Sequence, residues 1–554
     1  MKLRGLNYYM KKCFVNKSSG ILFFLLFLFF TDILYAQRLD IISTGDPVLE
    51  DIRYLSLEAG IPFLSFTPPF SPHELKNFLS FIDSDNLSQA GVNAYNRINS
   101  RIARELPPIS WSDELFAVSF NANAVFESNF RFNNNISWDG DLSNVSPILS
   151  FPIQFFFSEY IQMYIEPNIA VKSRSYGNDS FHTNIPDNFS SQYWPFRSFT
   201  SIGGSWWNFI IGKDHLYWGS GHTGSLVFSN DSTYHDFAKL SFFTRYFKYS
   251  FIINHLPLFL DKNMIDNFDE ISANDKKSID RYFYLHRIDV NILNKISFSI
   301  MEGTMVGNSP LEIRYFNPLA IYHSFYAWKE YDRWNRKEGD NKDNGYMVGA
   351  FLSLEVNWNI VKPLSVYGQF VMNEVSIQSE KDKLSELPPD CLGYLAGINF
   401  SHPINSWNSF YFLEFIYTEP YAYILSSPFA SFIQQDYHYY LLGHSRDTIS
   451  LTAGAKFFID TLSFSGSFSW ISSGEHNSDY LKWDWERGEQ AYNEKSPSGI
   501  AENKFKLSFE TEWKPLSWLY LKAGITGIIS LNNKHINDNT ETGGQASLSA
   551  GIKY

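Results

Sequence analysis

Alternating polar and apolar residues run along most of the chain. The pattern is clearest from Leu462 to Trp470, where every second residue is serine. Side chains alternate between the two faces of a β-strand, so this segment has one apolar face and one polar face. From Leu115 onwards the pattern returns in segments of about ten residues, the length of a strand in an outer-membrane barrel. We therefore predict a mainly β protein, a transmembrane antiparallel β-barrel of about 18 strands.

Short and long connections alternate between the predicted strands. Tight turns are predicted near 158–159, 245–248, 294–295 and 460–461, and the sequence Lys-Pro-Leu-Ser occurs as a turn at 362–365 and 514–517. The long insertions are 173–192, 214–236, 258–280, 305–344, 376–390, 420–446, 472–501 and 531–543. Short turns are periplasmic and long loops extracellular in such barrels, so an even strand number places both chain ends in the periplasm.

The segment Ala546–Tyr554 alternates apolar and polar positions and ends in an aromatic ring. It looks like the closing strand that is read by the outer-membrane insertion machinery, although phenylalanine is the usual last residue. We therefore expect this machinery and outer-membrane lipid to be partners of the chain.

The N-terminus has the pattern of an export signal. A lysine-rich start precedes the apolar run Ile21–Phe30, and Leu34-Tyr35-Ala36 favours cleavage after Ala36. The alternative, an uncleaved anchor, is disfavoured because the run is too short to span a bilayer as a helix. We predict a signal peptide at 1–36, a periplasmic helical bundle at 37–112 and the barrel, with long extracellular loops, at 113–554.

The region before the strands has helical periodicity. Asp46 and Pro47 predict a helix start, and Gly60 predicts its end. Ser71-Pro72-His73-Glu74 predicts a capping box at the start of a second helix. A third helix is predicted to begin near Ser88, with Pro107-Pro108 after it.

Composition supports a barrel and restricts the partners. The chain contains 51 Phe, 33 Tyr and 15 Trp, and barrels use such rings on the lipid face and at both membrane interfaces. The formal net charge of −13 argues against nucleic-acid binding. The cysteines are Cys13 and Cys391, so no intramolecular disulfide is expected once Cys13 leaves with the signal.

The stretch 206–230 resembles a segment of the capsule assembly protein Wzi family. That family has a glycine, usually followed by Arg, then a Trp-Gly-Pro-Gly turn and a Ser-Leu-apolar-apolar-Ser run. The matching residues are Gly212, Trp218, Gly219, Gly221, Ser225, Leu226, Ser229 and Asn230. Lys213 stands where Arg is usual, and Ser220 where Pro is usual. The segment Arg314–Leu319, with Asn317 and Pro318, is similar to the family's aromatic-Asn-Pro segment, and the helical region resembles the family's front module.

The resemblance implies an 18-stranded outer-membrane barrel with a periplasmic helical bundle. Such a protein holds or organises capsular polysaccharide at the cell surface, like a lectin, and the family offers no catalytic residues to carry over. The matched glycines and Trp218 are expected to permit a tight loop that folds inwards. Direct contact between these residues and glycan is the alternative.

Aromatic side chains in the predicted loops are the candidate glycan contacts. Flat rings pack on the C–H faces of sugars, while acidic and Arg side chains bind hydroxyls. The candidates, each near charged residues, are Trp328, Tyr331, Trp334, Trp483 and Trp485. The alternative is that these rings pack the loops together or belong to the outer aromatic girdle.

The neighbouring sequence argues against a nucleotide site and against metal sites. Gly219–Gly224 fits G-x-G-x-x-G, but a nucleotide site needs a helix after it, and the residues that follow are extended in pattern. His215, His222 and His235 match no standard zinc spacing, and Asp139-Gly140-Asp141 fits a polar turn better than a Ca²⁺ site. We predict no catalytic residues, no cofactor and no metal. A porin for small solutes is the main alternative function, and an outer-membrane enzyme is a third class.

Overall fold

The structure is a computed structural model that describes residues 39–103, 109–113, 115–138, 145–171, 174–176, 180–185, 192–193, 197–229, 234–259, 278–307, 309–317, 320–322, 348–374, 389–404, 407–425, 429–435, 439–476 and 494–553. The predicted signal peptide, 1–36, lies outside these residues. No helix among the described residues is long and apolar enough to cross a membrane.

The protein is mainly β, as the alternating pattern predicts. Three α-helices are present in the described residues: α1 (Val48–Ala59), α2 (Pro72–Leu79) and α3 (Gln89–Ile102). The first strands are β1 (Ser110–Ser112), β2 (Phe116–Phe120), β3 (Asn123–Phe132), β4 (Leu149–Ser150), β5 (Ile153–Phe157), β6 (Ile161–Glu166), β7 (Asn168–Val171), β8 (Arg174–Tyr176), β9 (Phe181–Thr183) and β10 (Gln192–Tyr193).

The middle strands are β11 (Arg197–Gly203), β12 (Trp207–Asp214), β13 (His235–Phe243), β14 (Phe247–His255), β15 (Leu258–Phe259), β16 (Ser278–Ile279), β17 (Arg281–Ile292), β18 (Ile296–Gly307), β19 (Val348–Val361) and β20 (Leu364–Glu374). The last are β21 (Cys391–Ser401), β22 (Asn408–Thr418), β23 (Ile433–Gln435), β24 (Tyr439–Leu441), β25 (Thr448–Ile459), β26 (Leu462–Ser473), β27 (Glu502–Leu516), β28 (Leu519–Leu531) and β29 (Glu541–Lys553).

The helices begin and end largely where their capping residues predict. In α2 the side chain of Ser71 and that of Glu74 form the capping box, and α3 begins after Ser88, whose side chain accepts a hydrogen bond from the N–H of Gly91. Helix α1 ends at Gly60 in the left-handed conformation, with φ of 69°. Its start also agrees with the prediction: Asp46 accepts a bond of 3.1 Å from the N–H of Val48, which is an N-capping bond, and Pro47 has the helical dihedrals φ −57° and ψ −23°.

Long strands pair antiparallel with their neighbours along the chain. This holds for the series β11, β12, β13, β14, β17, β18, β19, β20, β21, β22, β25, β26, β27, β28 and β29. Beyond this series, β29 pairs with β3, β3 with β4, β2 with β5, β5 with β6, and β6 with β11.

The sheet has two different faces. The outer face carries large exposed apolar side chains such as Phe464, Phe468 and Ile525. The inner face, against which the helices pack, carries buried polar side chains such as Lys239 and Glu414. The alternation of the sequence therefore separates apolar from polar side chains as predicted.

The helices are bound to the inner face through buried polar contacts. Lys239 Nζ donates to the carbonyl oxygens of Thr67 and Pro69 at 2.6 and 2.8 Å. Lys248 Nζ lies 2.6 Å from a carboxylate oxygen of Glu74, the residue that also completes the α2 cap. One carboxylate thus caps a helix and pairs with a strand, which fixes the orientation of α2 on the sheet.

Candidate functional site: the inner loop between β12 and β13

The chain turns inwards after β12 and crosses the inner face of the sheet. We call the described residues 215–229 the inner loop. Its backbone and side chains bond to β19, β20, β21 and β22, none of which is a neighbour of β12 or β13 in the sheet. The predicted inward-folded loop is therefore present, and it spans several strands.

Glu414 on β22 binds the tip of the inner loop. Its carboxylate accepts hydrogen bonds from the backbone N–H groups of His222 and Thr223 at 2.8 and 2.9 Å. It also accepts a bond of 2.7 Å from the hydroxyl of Tyr367 on β20. Glu414 is buried, and a buried carboxylate is stable only when donors of this kind surround it.

Gln369 on β20 bonds two separate parts of the same loop. Its Oε1 accepts from the N–H of Leu226 at 2.7 Å, and its Nε2 donates to the carbonyl oxygen of Trp218 at 3.1 Å. The hydroxyl of Ser225 donates to the same carbonyl oxygen. These contacts satisfy backbone groups that would otherwise be buried without partners.

Gly221 and Gly212, two glycines of the predicted motif, are required because another part of the backbone lies too close for a side chain. A Cβ added at Gly221 would collide with the carbonyl oxygen of Gly224, so only glycine fits this turn. Gly212, at the end of β12, has φ of +144°, and a Cβ there would collide with the carbonyl oxygen of Ser198 on β11. Gly219 donates its N–H to Phe66 in the helical region at 3.0 Å.

Trp218 is completely buried, with a relative exposure of 0%. Its ring meets that of Phe228 edge-on at 5.4 Å, and Lys239 Nζ lies 5.3 Å from its centre. The ring thus packs the inner loop against β13, and a surface glycan does not reach it in this conformation.

The helical region holds the inner loop from its other side. Arg53 on α1 donates from Nη1 to the carbonyl oxygen of Ser220 at 2.7 Å and from Nη2 to that of Gly221 at 3.1 Å. The hydroxyl of Ser220, the residue that replaces the family's usual proline, donates to Glu355 on β19 at 2.7 Å. One residue therefore joins α1, the inner loop and the sheet.

A second inner loop, formed by residues 419–425, 429–435 and 439–442, lies beside the first. Arg281 on β17 donates to the carbonyl oxygens of Ser431 and Ile433 at 3.1 and 2.8 Å. The hydroxyl of Tyr423 donates to the carbonyl oxygen of Leu226 at 3.1 Å, which connects the two loops. Their apolar side chains belong to one continuous buried cluster with the inner face.

Burial controls the protonation of His222 in the inner loop. Its ring stacks on that of Phe412 at 4.4 Å, and Nε2 lies 2.9 Å from Oδ1 of Asn399. Burial, followed by the positive charges of Arg53 and Lys456, lowers the pKa of His222 well below its ordinary value. The ring is therefore neutral at physiological pH.

The structure separates the two parts of the predicted motif. Ser229, at the end of the inner loop, is buried and donates its N–H to Leu442 at 2.8 Å. Asn317 is exposed after the 3-10 turn Ile313–Phe316. Tyr315 of that turn stacks at 4.7 Å on Tyr284, on the outer face. The Asn317 segment therefore lies on the opposite side of the sheet from the inner loop.

The remaining candidates stay predictions because they lie outside the described residues: Pro318, Trp328, Tyr331, Trp334, Trp483 and Trp485. The three histidines have separate partners: His222 has Asn399, His235 bonds Asn254, and His215 packs on Tyr234. Among the described residues there is no group of three His, Cys, Asp or Glu that could hold a metal ion.

Sequence reasoning did not identify Arg53, Glu414, Gln369 or Arg281. Glu414 offered a signal, because it is the one charged residue within the aromatic and aliphatic run Phe410–Ile416. A charge at a strand position of that kind indicates a buried partner. The partner itself is a backbone turn 192 positions away, and no pattern in the sequence predicts this contact.

The chain matches one protein family and is similar to several solved structures. Residues 140–441 match the family model described as capsule assembly protein Wzi. The chain is similar to the structure of Wzi, described as an outer membrane protein involved in group 1 capsule assembly in Escherichia coli and a carbohydrate binding β-barrel. The TM-score is 0.56 at 12% identity, over 92% of this chain and 98% of that chain.

Weaker similarity extends to other solved structures. OprD of Pseudomonas aeruginosa aligns with a TM-score of 0.39 and 8% identity, over 79% of this chain and 95% of that one. OmpT of Vibrio cholerae aligns with a TM-score of 0.33 and 9% identity, over 81% of this chain and 100% of that one. No curated protein sequence matches the chain.

Proposed function

Because the chain belongs to the capsule assembly protein Wzi family, we propose that it is an outer-membrane protein that binds, anchors or organises capsular or other surface polysaccharide without catalysing a reaction. The resemblance predicted from the sequence is confirmed by the family model. The observation that carries the proposal is the inner loop: it crosses the inner face of the sheet and bonds to β19, β20, β21 and β22, which suits a rigid binding frame better than an open conducting pore.

The proposal includes a closed barrel of eighteen membrane-spanning strands. Its support is the pairing of β29 with β3, from Gly544 opposite Phe132 to Lys553 opposite Asn123. In this count β2 and β3 form one interrupted strand, as do β4 and β5, and β6 and β7. These three strands, the four of β11–β14, the six of β17–β22 and the five of β25–β29 make eighteen. Closure would leave no free edge to aggregate with other chains.

The outer face supports a position in the membrane. Ile525 and Leu548 are 61% and 64% exposed, and they belong to a wide set of exposed apolar side chains. Water-soluble surfaces rarely carry so large an apolar area, whereas lipid solvates it favourably. Outer-membrane lipid and the membrane insertion machinery are therefore proposed partners.

The helical region is proposed to be periplasmic, with a signal peptide at 1–36, the bundle at 37–112 and the barrel at 113–554. The helices contact the sheet at its tight turns, which are periplasmic in outer-membrane barrels. Arg97 pairs with Asp460 in the β25–β26 turn at 2.7 Å, and Arg245 in the β13–β14 turn donates to the carbonyl oxygen of Ser80 at 3.0 Å.

Glycan binding is assigned to the long extracellular loops, with Trp328, Tyr331, Trp334, Trp483 and Trp485 as the contact residues. Each ring would make a weak contact with one sugar unit, and a repeating polymer would sum many such contacts. The inner loops would serve as the rigid support on which the extracellular loops are positioned.

A capsule-release assay on a deletion strain tests the proposal. Loss of the protein should increase free polysaccharide in the medium, and the wild-type gene on a plasmid should restore retention. Equal release with and without the protein would contradict it. Planar-bilayer recordings address the porin alternative, because a steady open conductance of the purified wild-type protein would favour solute transport instead.

A further inference from the structure

The inner face is not covered evenly along the sheet. On β17 to β22 the two inner loops bury it, and Ser353 and Glu414 there are almost inaccessible to solvent. On β26 to β29 the corresponding polar positions stay partly exposed. These positions are Ser463, Ser465, Ser467, Ser508, Thr526, Ser547 and Ser549.

This uncovered strip has the chemistry of a wet surface. Glu510 and Lys522 pair at 3.1 Å while their side chains remain 50% and 42% exposed. The hydroxyls of Ser508 and Thr526 lie 3.0 Å apart on neighbouring strands. Hydroxyls and exposed ion pairs at this density keep their hydration, since removing water from them costs free energy without compensation.

The strip is closed at the end away from the tight turns. Glu502, at the start of β27, accepts hydrogen bonds from the hydroxyl of Ser530 at 2.7 Å and the N–H of Lys534 at 3.2 Å. It also accepts one from the hydroxyl of Ser137, in the segment that follows β3. We call Glu502, Ser530, Lys534 and Ser137 the Glu502 cluster.

The segment that carries Ser137 crosses the inner side of β29. A Cβ added at Gly543 on β29 would lie 2.7 Å from Ile136 Cδ1, so the segment is in direct contact with the strand. Asn533, after β28, accepts from the N–H of Ser137 at 3.2 Å and is itself buried. Residues from the connections after β3 and after β28 therefore cover this end of the strip together with Glu502.

The exposure of the inward-facing side chains rises along β27, from the Glu502 cluster to the tight turn. Glu502 is 3% exposed, whereas the side chains of Glu512 and Lys514, near the tight turn, are 31% and 44% exposed. Water therefore reaches the strip from the tight-turn end.

We propose that the inner face of β26–β29 lines a water-filled pocket that opens towards the periplasm and ends blindly at the Glu502 cluster. Its occupant is water, which hydrates the serine and threonine hydroxyls and the Glu510–Lys522 ion pair. The lumen is thus divided into a half filled by the inner loops and a hydrated half. This inference rests on the closed barrel of the proposed function.

Cysteine accessibility in cells tests the pocket. Cys391 is buried and Cys13 lies in the predicted signal peptide, so an introduced cysteine is the reactive one. The probe is a charged thiol reagent too large for general porins, applied to intact or permeabilised cells. Thiols that remain after the reaction are tagged under denaturing conditions and counted on a gel.

Ser467→Cys and Ser549→Cys are expected to react in permeabilised cells and to stay unreacted in intact cells. Ser353→Cys, on the filled half, should react in neither, and Asp538→Cys, exposed between β28 and β29, should react in both. Reaction of the pocket positions in intact cells, or in neither preparation, would overturn the proposal. Leu548→Cys monitors the barrel itself: its reaction in the membrane would show that the outer face is in water, which contradicts the proposed function instead.

The blind end has its own test. Glu502→Ala, combined with Ser467→Cys, should make the pocket position react in intact cells, because the cover loses its common acceptor. Glu512→Ala is the matched control, since it removes the same side chain from the same face of the same strand at the open end. If Glu502→Ala leaves a correctly folded protein unlabelled in intact cells, the Glu502 cluster does not close the pocket.

Discussion

The carboxylate of Glu414 accepts a hydrogen bond of 2.8 Å from the backbone N–H of His222, although the two residues are 192 positions apart. Together with the bonds from Thr223 and Tyr367, it links the tip of the inner loop to the sheet. Because Glu414 and Tyr367 are buried, we expect the link to determine how often the inner loop leaves the inner face.

Glu414→Ala should release the inner loop. The substitution removes the acceptor of four donors, of which the Tyr367 hydroxyl is buried. This loss costs about 2 kcal/mol and should raise local opening roughly 30-fold. Hydrogen–deuterium exchange of peptides from the inner loop measures this. Glu512→Ala, half-exposed on β27, serves as the control, and equal exchange in wild type and Glu414→Ala would contradict the role of this carboxylate.

Arg53→Lys should loosen the contact between α1 and the inner loop. A lysine donates to one carbonyl oxygen at a time, whereas the guanidinium bonds those of Ser220 and Gly221 together. The expected effect is about a fivefold increase in amide exchange of the inner loop. Arg101→Lys, in the same helical region but paired with Asp40 and Asp46, should leave that exchange unchanged.

Gly221→Ala should lower the thermal stability of the protein. The new methyl group collides with the Gly224 carbonyl, and relief of such overpacking costs about 2 kcal/mol. Differential scanning calorimetry of the protein in detergent gives the change in Tm. Gly45→Ala is the matched control, because nothing lies within 4 Å of its added Cβ. Equal melting temperatures for the two variants would contradict the tight turn.

Acidification should weaken the inner loop through His222. Its pKa is lowered in the folded protein, mainly by burial, so its contribution to stability is complete above the ordinary value of about 6.5 and falls as the pH drops below it. The slope approaches about 1.4 kcal/mol per pH unit. His222→Phe keeps an aromatic ring but cannot titrate, so its Tm should depend less on pH between 7.5 and 5 than that of the wild type.

Trp334→Ala and Trp485→Ala should weaken the retention of surface polysaccharide without lowering the amount of protein in the outer membrane. Each removes a flat face for sugar contact. Polysaccharide bound to washed cells is the measurement, and Trp518→Ala, at the tight turn between β27 and β28, is the control. Normal polysaccharide retention in both loop variants would contradict the proposal that the loop aromatic residues contact glycan.

Local patterns predicted the strands and helix ends because their causes are local. The serines between Leu462 and Trp470 face inwards in β26, and Ser71 caps α2 with Glu74, as their spacing indicates. The path of the second inner loop was not predictable. The sequence predicts a long extracellular loop at 420–446 but does not show that Tyr423, Phe429 and Phe432 turn inwards, where they are buried. That placement depends on Arg281 and on glycines of other strands, which no pattern within the loop reveals.

The pairing of Asn123 with Lys553 has a consequence for synthesis. One edge of β3 acquires its neighbour only after β29 has been synthesised, so the sheet cannot be completed before then. Until then β3 presents unpaired amide and carbonyl groups that could capture a foreign strand. We therefore expect chaperones to shield this edge until β29 pairs with it.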